Sequence, residues 1–462
     1  MRVPALILAL VPVLSLSACS DRAGEVDPGF RGLEVEQSAI VPTVFAVRWE
    51  TDLAVESFVR FAEHGTSMIF ETPASEAAVE HEGILVGVPE ATEGWFELVA
   101  LHEGQEHRST RYEFTTGGLR PEVPRSQTTL GDSSHATPGL ILAPVGLDSS
   151  RWAALMDHHG RLVWAWGDED TDTQRVRLTR DGRGVVLIDR IPGSIDLELV
   201  RVDFFGDEVW RIPVAEAHHD FELISDESFL FIGYDVREVE LASGPREIIG
   251  DQIFQLDLDG VRTPIWSVWD HVEFTSKTSA SESMELAGAL GWTHGNYLYY
   301  DRDHDRILTT MRDIDMAFAI DRPSGEVLWS LGGEQGEYQS PDDSPVLNYP
   351  HSIWPTDTGY TVFNQGQILD PDCSWAAHLE LDEGSRAAVE TWAYTSPTCQ
   401  QTFYVGNAQP LDEDRTLVSF GKAGVLDEIS TETGETIVRH SLEIPGEFLY
   451  VEHVGALYPG SR

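Results

Sequence analysis

Six polar side chains recur at matching places in the later part of this 462-residue chain, each with an apolar residue four positions on. The pairs are Gln174/Leu178, His219/Leu223, His294/Leu298, Asn407/Leu411 and His453/Leu457, and His351 stands in the same place with Pro355 following. Four of the six are histidines. Behind most of them comes an apolar strand that ends in a second polar set: Arg190, Tyr234, Arg312, Asn364, Gln365 and Lys422. A neutral imidazole is a competent nucleophile, and permanent cations hold an anion through charge-assisted hydrogen bonds in a concave site. The chain has a net charge of −47 and only two lysines, Lys277 and Lys422. Cations and imidazoles gathered at one spot therefore stand out against an acidic background.

Side chains drawn from such distant places need a repeated scaffold, and the sequence contains one. A turn followed by a Trp-bearing strand appears at Asp157 to Trp164, Asp203 to Trp210, Asp257 to Trp266 and Asp321 to Trp329. Weaker copies end at Trp392 and, with Arg in place of Trp, at Arg439. Apolar strands such as Val185-Val186-Leu187-Ile188 and Phe229-Leu230-Phe231-Ile232 lie between. Four strands per unit, six times over, is the pattern of a six-bladed β-propeller. Helical periodicity is sparse; the segment from Glu282 to Leu290 is the one expected helix. The innermost strand of each propeller blade lines the central channel and the second strand runs back antiparallel. The start of strand one and the end of strand two share a face, so both polar sets are expected at one channel mouth.

Residues 30–117 read differently. Short alternating strands such as Val44 to Trp49, Ser57 to Phe61 and Trp95 to Leu101 predict a small β-sandwich of fibronectin III or immunoglobulin type, closed by Phe114-Thr115-Thr116-Gly117. The chain is thus expected to be all-β. Residues 118–136, rich in Pro, Ser and Thr, read as a linker, and 137–459 as the propeller. At the N-terminus, Arg2 and the apolar run Pro4 to Leu16 lead to Ser17-Ala18-Cys19. That run is too short to span a bilayer and reads as a signal peptide, residues 1–18. The residues before Cys19 resemble a bacterial lipobox, which implies a lipidated Cys19, a tether over 19–29, and an anchored place in the cell envelope, at the outer membrane facing the periplasm or the surface. Cys373 and Cys399 remain, and an oxidising compartment would pair them. No CxxC or HExxH spacing points to zinc, so no metal or cofactor is expected. The acidic surface disfavours nucleic acid.

The stretches HHDFELI (218–224), WTHGNYLYYD (292–301), TTMRDIDMAFAIDRPSGEVLWSLGG (309–333) and HSIWPTDTGYTVFNQG (351–366) resemble the bacterial aryl-sulfate sulfotransferases, six-bladed propellers with an amino-terminal β-sandwich. That resemblance implies a ping-pong reaction without nucleotide or metal. A channel histidine, here His351, takes the sulfuryl group from an aryl sulfate donor as sulfohistidine and passes it to a phenolic acceptor. His219, His294 and Arg312 would hold the sulfate oxygens, with Asn296 assisting and His219 or His294 protonating the leaving phenolate. Tyr234, Asn364, Lys422, Asn407 and His453 are expected to bind substrate around them. Two departures accompany the match: Pro350 precedes His351, and Asn364-Gln365-Gly366 replaces the usual Asp-Asn-Gly. They support an alternative, a catalytically degenerate, surface-anchored propeller that binds an anionic ligand or a partner protein.

Overall fold

The structure is a computed structural model that describes residues 27–458, apart from 148–149, 193, 195, 275–280, 287–288, 343, 367–372 and 403. The signal-peptide residues and Cys19 lie outside the described residues, as does most of the tether. The fold is nearly all-β: a small sandwich followed by six four-stranded blades.

In the sandwich, the long strand Phe45–Glu63 serves both layers. Its first half pairs with Phe30–Gln37 and Ala78–Leu85, and its second half with Phe70–Glu71 and Glu93–His102. Trp49, Phe61 and Phe96 fill the space between. The sandwich leans on blade 1 of the propeller. The guanidinium of Arg161 forks onto Glu63 at 2.9 and 2.7 Å, Glu90 N–H donates to the Leu162 carbonyl, and Tyr458 O–H donates to the Ile84 carbonyl. One continuous apolar core runs through both.

The recurring Asp-to-Trp unit has a local cause. Gly160, Gly206 and Gly260 take φ of 82°, 100° and 79°, a region open to glycine without strain. Each glycine N–H donates to the carbonyl of the Asp three residues earlier. The Asp side chains then accept the N–H four residues on, at Arg161, Asp207 and Val261. The Asp…Gly pair therefore fixes each hairpin between the third and fourth strands. The Trp of the fourth strand reaches the next blade: Trp164 donates to the Phe204 carbonyl at 3.0 Å, Trp210 meets Phe229, Trp266 meets Phe318, and Trp329 Nε1–H donates to Tyr360 Oη. In blade 6, Arg439 replaces the Trp and binds Asp427 and the Ser396 hydroxyl instead.

Blades 2 to 5 are consecutive, with inner strands Thr173–Leu178, Ala217–Ser225, Gly295–Asp301 and Pro350–Pro355. The ring closes through both ends of the chain. Blade 1 (Leu140–Leu147, Ser150–Asp157, Leu162–Trp166) takes its inner strand from the C-terminal segments Glu447–Phe448 and Glu452–Val454. Blade 6 starts at Asn407–Pro410, and its outer edge is covered by Ser126–Gly131. That strand falls inside the stretch read as a linker; none of its residues is buried, so it lacks the apolar alternation that marks buried strands. The helix expected over Glu282 to Leu290 is also absent: Ser281–Leu286 and Ala289–Gly291 are strands. They extend blade 3, whose hairpin Ser228–Leu241/Gly244–Asp257 projects past the blade and offers an edge to Ala289–Gly291.

Candidate active site

The inner strands do not run straight at the channel mouth. Each of blades 2 to 5 breaks register there, between Thr173 and Arg175, His218 and Phe221, Gly295 and Tyr297, and Pro350 and Ser352. A β-bulge leaves residues unpaired and re-aims their side chains. The bulged residues are Gln174, His219 with Asp220, Asn296, and His351. His219 has a φ of 59°, an uncommon conformation outside glycine of the kind that clusters at functional sites. His294 comes from the turn just before its strand, at φ 53°, in the place that Tyr349 holds in blade 5.

These side chains line a cavity of about 310 Å³ at the channel mouth. One half of it is polar: His219, His294, His351, Asn296, Gln174 and three arginines, Arg151, Arg190 and Arg312. The other half is Tyr404, Val405, Leu449 and Tyr450. The floor is sealed by Tyr450, whose hydroxyl donates to the Asn296 carbonyl at 2.8 Å. Arg175 lies over the Tyr450 ring, fully buried and paired with Asp220 at 2.8 Å.

His351 is held in one tautomer. Its Nδ1–H donates to the Tyr349 carbonyl at 3.0 Å, which leaves the Nε2 lone pair available. Burial pushes its pKa down to about 4, with the Arg312 cation adding to the effect and the Tyr349 carbonyl opposing it. It is therefore neutral and nucleophilic across the neutral range. His219 and His294 sit edge to face with ring centres 4.6 Å apart. Burial drives both well below the usual histidine range; neighbouring imidazoles and Arg312 push the same way. Arg312 is anchored through Nε–H to Asp313 Oδ1 at 2.6 Å and lies beside the Tyr349 ring, leaving its terminal N–H groups for the cavity. At the rim Arg151 pairs with Asp172 and Glu447, and Glu447 also accepts from Tyr404 Oη and lies 3.2 Å from Lys422 Nζ. Three neutral imidazoles and a forked cation facing an apolar wall can hold an anionic head group with an aromatic body.

The cavity thus gathers His219, His294, His351, Arg312 and Asn296. Five other expected residues stand outside its wall. Asn407 clasps the ring shut: its side-chain amide donates to the Val451 carbonyl at 2.7 Å and accepts the Val451 N–H at 2.9 Å. His453 packs near Gly139 and the backbone of Thr137 and Pro138; Leu449 and Tyr450, just before that strand, line the cavity instead. Asn364 braces the approach to His351 by accepting the Asn348 N–H. Tyr234 stacks on His218 with ring centres 4.3 Å apart, and Lys422 is turned to Glu447. The polar-to-Leu spacing misled because the inner strands carrying Asn407 and His453 have no bulge. In blade 4, moreover, the bulged residue is Asn296, not His294, and so Asn296 is the backbone counterpart of His351. Arg151, Val405, Leu449 and Tyr450 were not anticipated, and no motif marks them. Cys373 and Cys399 form a disulfide in blade 5.

A search of curated proteins returned no match. Among solved structures, a protein of unknown function from Bacteroides caccae is 12% identical, with 69% of this chain and 99% of that chain covered and a TM-score of 0.37. The C-terminal WD40 domain of Sif2 is 10% identical, with 77% and 79% covered and a TM-score of 0.33. Neither likeness bears on function, and the propeller is read from the sheet order itself. The arylsulfotransferase (ASST) family model matches residues 131–448, which takes in the six blades apart from the inner segment Glu452–Val454 of blade 1, and every residue of the cavity but Leu449 and Tyr450. The chain therefore belongs to the arylsulfotransferase family.

Proposed function

We propose that the protein moves a sulfuryl group from an aryl sulfate to a phenolic acceptor in two steps through His351. The observation that carries this reading is the hydrogen bond from His351 Nδ1 to the Tyr349 carbonyl, which leaves the Nε2 lone pair to act as nucleophile in a cavity shared with Arg312. In the first step Nε2 attacks sulfur, the bond from sulfur to the aryl oxygen breaks, and the phenolate leaves with a proton from an adjacent imidazole. In the second, the acceptor phenol oxygen attacks sulfur, its proton returns to that imidazole, and the N–S bond breaks. Sulfuryl transfer parallels phosphoryl transfer, in which catalysis is positioning and stabilisation of charge on the equatorial oxygens. Arg312 supplies a planar fork for two of them. Tyr404, Val405, Leu449 and Tyr450 would take the aromatic ring. Pro350 does not stand against this reading, since it pairs in register with Asn364 and its carbonyl accepts from Asn296 Nδ2. The lipid anchor at Cys19 would hold the enzyme at the outer membrane.

The test uses the soluble protein without residues 1–19, 4-nitrophenyl sulfate as donor, and phenol as acceptor. Sustained nitrophenol release that requires phenol and vanishes in His351→Ala supports the reading. With donor alone, mass spectrometry should find one added SO3 on His351. An intact donor across a range of acceptors would overturn the proposal in favour of a binding propeller.

A further inference from the structure

Behind the cavity, the pair His218-His219 runs back to a buried carboxylate that the transfer as written does not use. Asp251, 2% exposed, sits in the third strand of blade 3. One of its oxygens accepts the Thr293 hydroxyl and, at 2.7 Å, the Gly295 N–H. The other lies 2.9 Å from His218 Nε2. A buried carboxylate needs a partner for its charge, and among the described residues the group at ion-pair distance is His218. The His218 ring is itself clamped, stacked on Tyr234 at 18° between planes. Its other nitrogen, Nδ1, lies 2.7 Å from His219 Nδ1.

Two imidazole nitrogens at that distance require one donor and one acceptor. When His218 is neutral with its proton on Nε2, facing Asp251, its Nδ1 is bare and His219 Nδ1–H must donate. The Nε2 of His219 then carries a lone pair. When a proton arrives at that Nε2, the Nδ1 proton can pass to His218. The positive charge then rests on His218 against Asp251, and not on His219 beside Arg312. An imidazole standing alone in the place of His219 would hold a proton poorly, because it is buried and faces Arg312, Arg190 and His351.

We infer that Asp251 and His218 are positioning residues that let His219 act as the proton donor to the leaving phenolate and the proton acceptor from the incoming phenol. The assignment rests on the proposed transferase reading and chooses His219 over His294 for this task. The free enzyme enters the cycle with the pair protonated, the charge on His218 and a proton on His219 Nε2, and in donor cleavage that Nε2 proton goes to the aryl oxygen. His219 Nδ1 regains its proton from His218, and His218 returns to the neutral form facing Asp251. Acceptor attack runs the same transfers backwards, so no proton is gained or lost over the cycle.

The experiment compares kcat/KM for Asp251→Asn, His218→Gln and wild type over aryl sulfates from 4-nitrophenyl to phenyl sulfate. Asn at 251 can still accept from Thr293 and Gly295, so the support for the His294 turn remains while the charge is removed. General acid help matters most for poor leaving groups. The expected loss therefore grows along the series, from a few-fold with 4-nitrophenyl sulfate to roughly 10²-fold with phenyl sulfate. An equal loss with every donor marks a purely structural role and overturns the inference. A second measurement needs neither variant nor turnover. In free wild-type protein with 15N-labelled histidine, His219 should show a protonated Nε2 and a bare Nδ1, and His218 a proton on each nitrogen, with a scalar coupling across the bond between them. A free enzyme whose His219 is protonated at Nδ1 and bare at Nε2 has no proton to give and would overturn the relay. If wild type cleaves no donor, the transferase reading fails and the nitrogen spectrum still decides the relay.

Discussion

Arg312→Ala tests two consequences of one side chain. The guanidinium is held at Nε by Asp313, 2.6 Å away, so its terminal N–H groups reach the cavity already oriented. A hydrogen bond to a charged group contributes about 1.5–3 kcal/mol, and removing one preorganised donor from a developing oxyanion costs about 2.7–4 kcal/mol. A fork on two sulfuryl oxygens falls in the same range, since its two bonds share one cation. The expected fall in donor kcat/KM is roughly 10²–10³-fold. Arg312→Lys keeps the charge and loses the planar fork, and its expected loss is about tenfold. The second consequence is electrostatic. Arg312 helps hold His351 down to about 4, so its removal moves the acid limb of the donor kcat/KM profile to higher pH.

Both are read in one assay, nitrophenol release from 4-nitrophenyl sulfate with saturating phenol, followed from pH 4 upward. Arg312→Ala retaining more than a tenth of wild-type kcat/KM at neutral pH would refute the fork. An acid limb that stays in place would refute the coupling between Arg312 and His351.

Three further outcomes follow from the structure. His351 is protonated at about 4 in the fold and near 6.5 when unfolded, so the unfolded chain binds more protons between those values. Stability should fall as pH drops from 6.5 to 4, by about 3 kcal/mol in all, and His351→Gln should flatten that part of a denaturant-midpoint curve. Opening the Cys373–Cys399 bridge, which closes a 26-residue separation, frees loop entropy worth about 3.5 kcal/mol; Cys373→Ser with Cys399→Ser should lower the urea midpoint accordingly, and an unchanged midpoint would contradict it. Arg175→Met removes a buried cation from Asp220 and leaves that carboxylate with Arg177 and the N–H groups of Phe221 and Leu298. An expected loss of about 3 kcal/mol is measurable by urea unfolding.

The blades were legible because their signal is local. Asp157, Asp203 and Asp257 cap their own hairpins, and Trp164, Trp210, Trp266 and Trp329 each serve one contact with the next blade, so both leave a period in the sequence. The channel mouth was legible in kind but not in phase. One residue bulges at Gln174, Asn296 and His351, two at His219 and Asp220, and none at Asn407 or His453, so a fixed count from polar residue to Leu picks out unlike backbone places. Asn407 and Gln409 show the other limit. Their amides imitate backbone and clasp Val451 and His453, a structural use that residue type alone does not separate from ligand binding. Arg151 was invisible for a third reason: the carboxylates that hold it, Asp172 and Glu447, come from the next blade and from the far end of the chain.

The way the ring closes also divides the cavity. Tyr404 and Val405 lead into blade 6, and Leu449 and Tyr450 join the two C-terminal segments, Glu447–Phe448 and Glu452–Val454, that complete blade 1, so the whole apolar wall stands at the closure seam. The imidazoles, Asn296 and Arg312 come from blades 3, 4 and 5, each set on a bulge or turn inside an otherwise buried strand. Blades 3, 4 and 5 therefore carry the groups that, on the proposed reading, would meet sulfur. The seam, clasped by the amides of Asn407 and Gln409, carries the surface that would meet the ring of donor and acceptor. On the proposed reading, substitutions at Val405 and Leu449 should alter which phenols fit while leaving His351 and Arg312, which are held by other blades, in place.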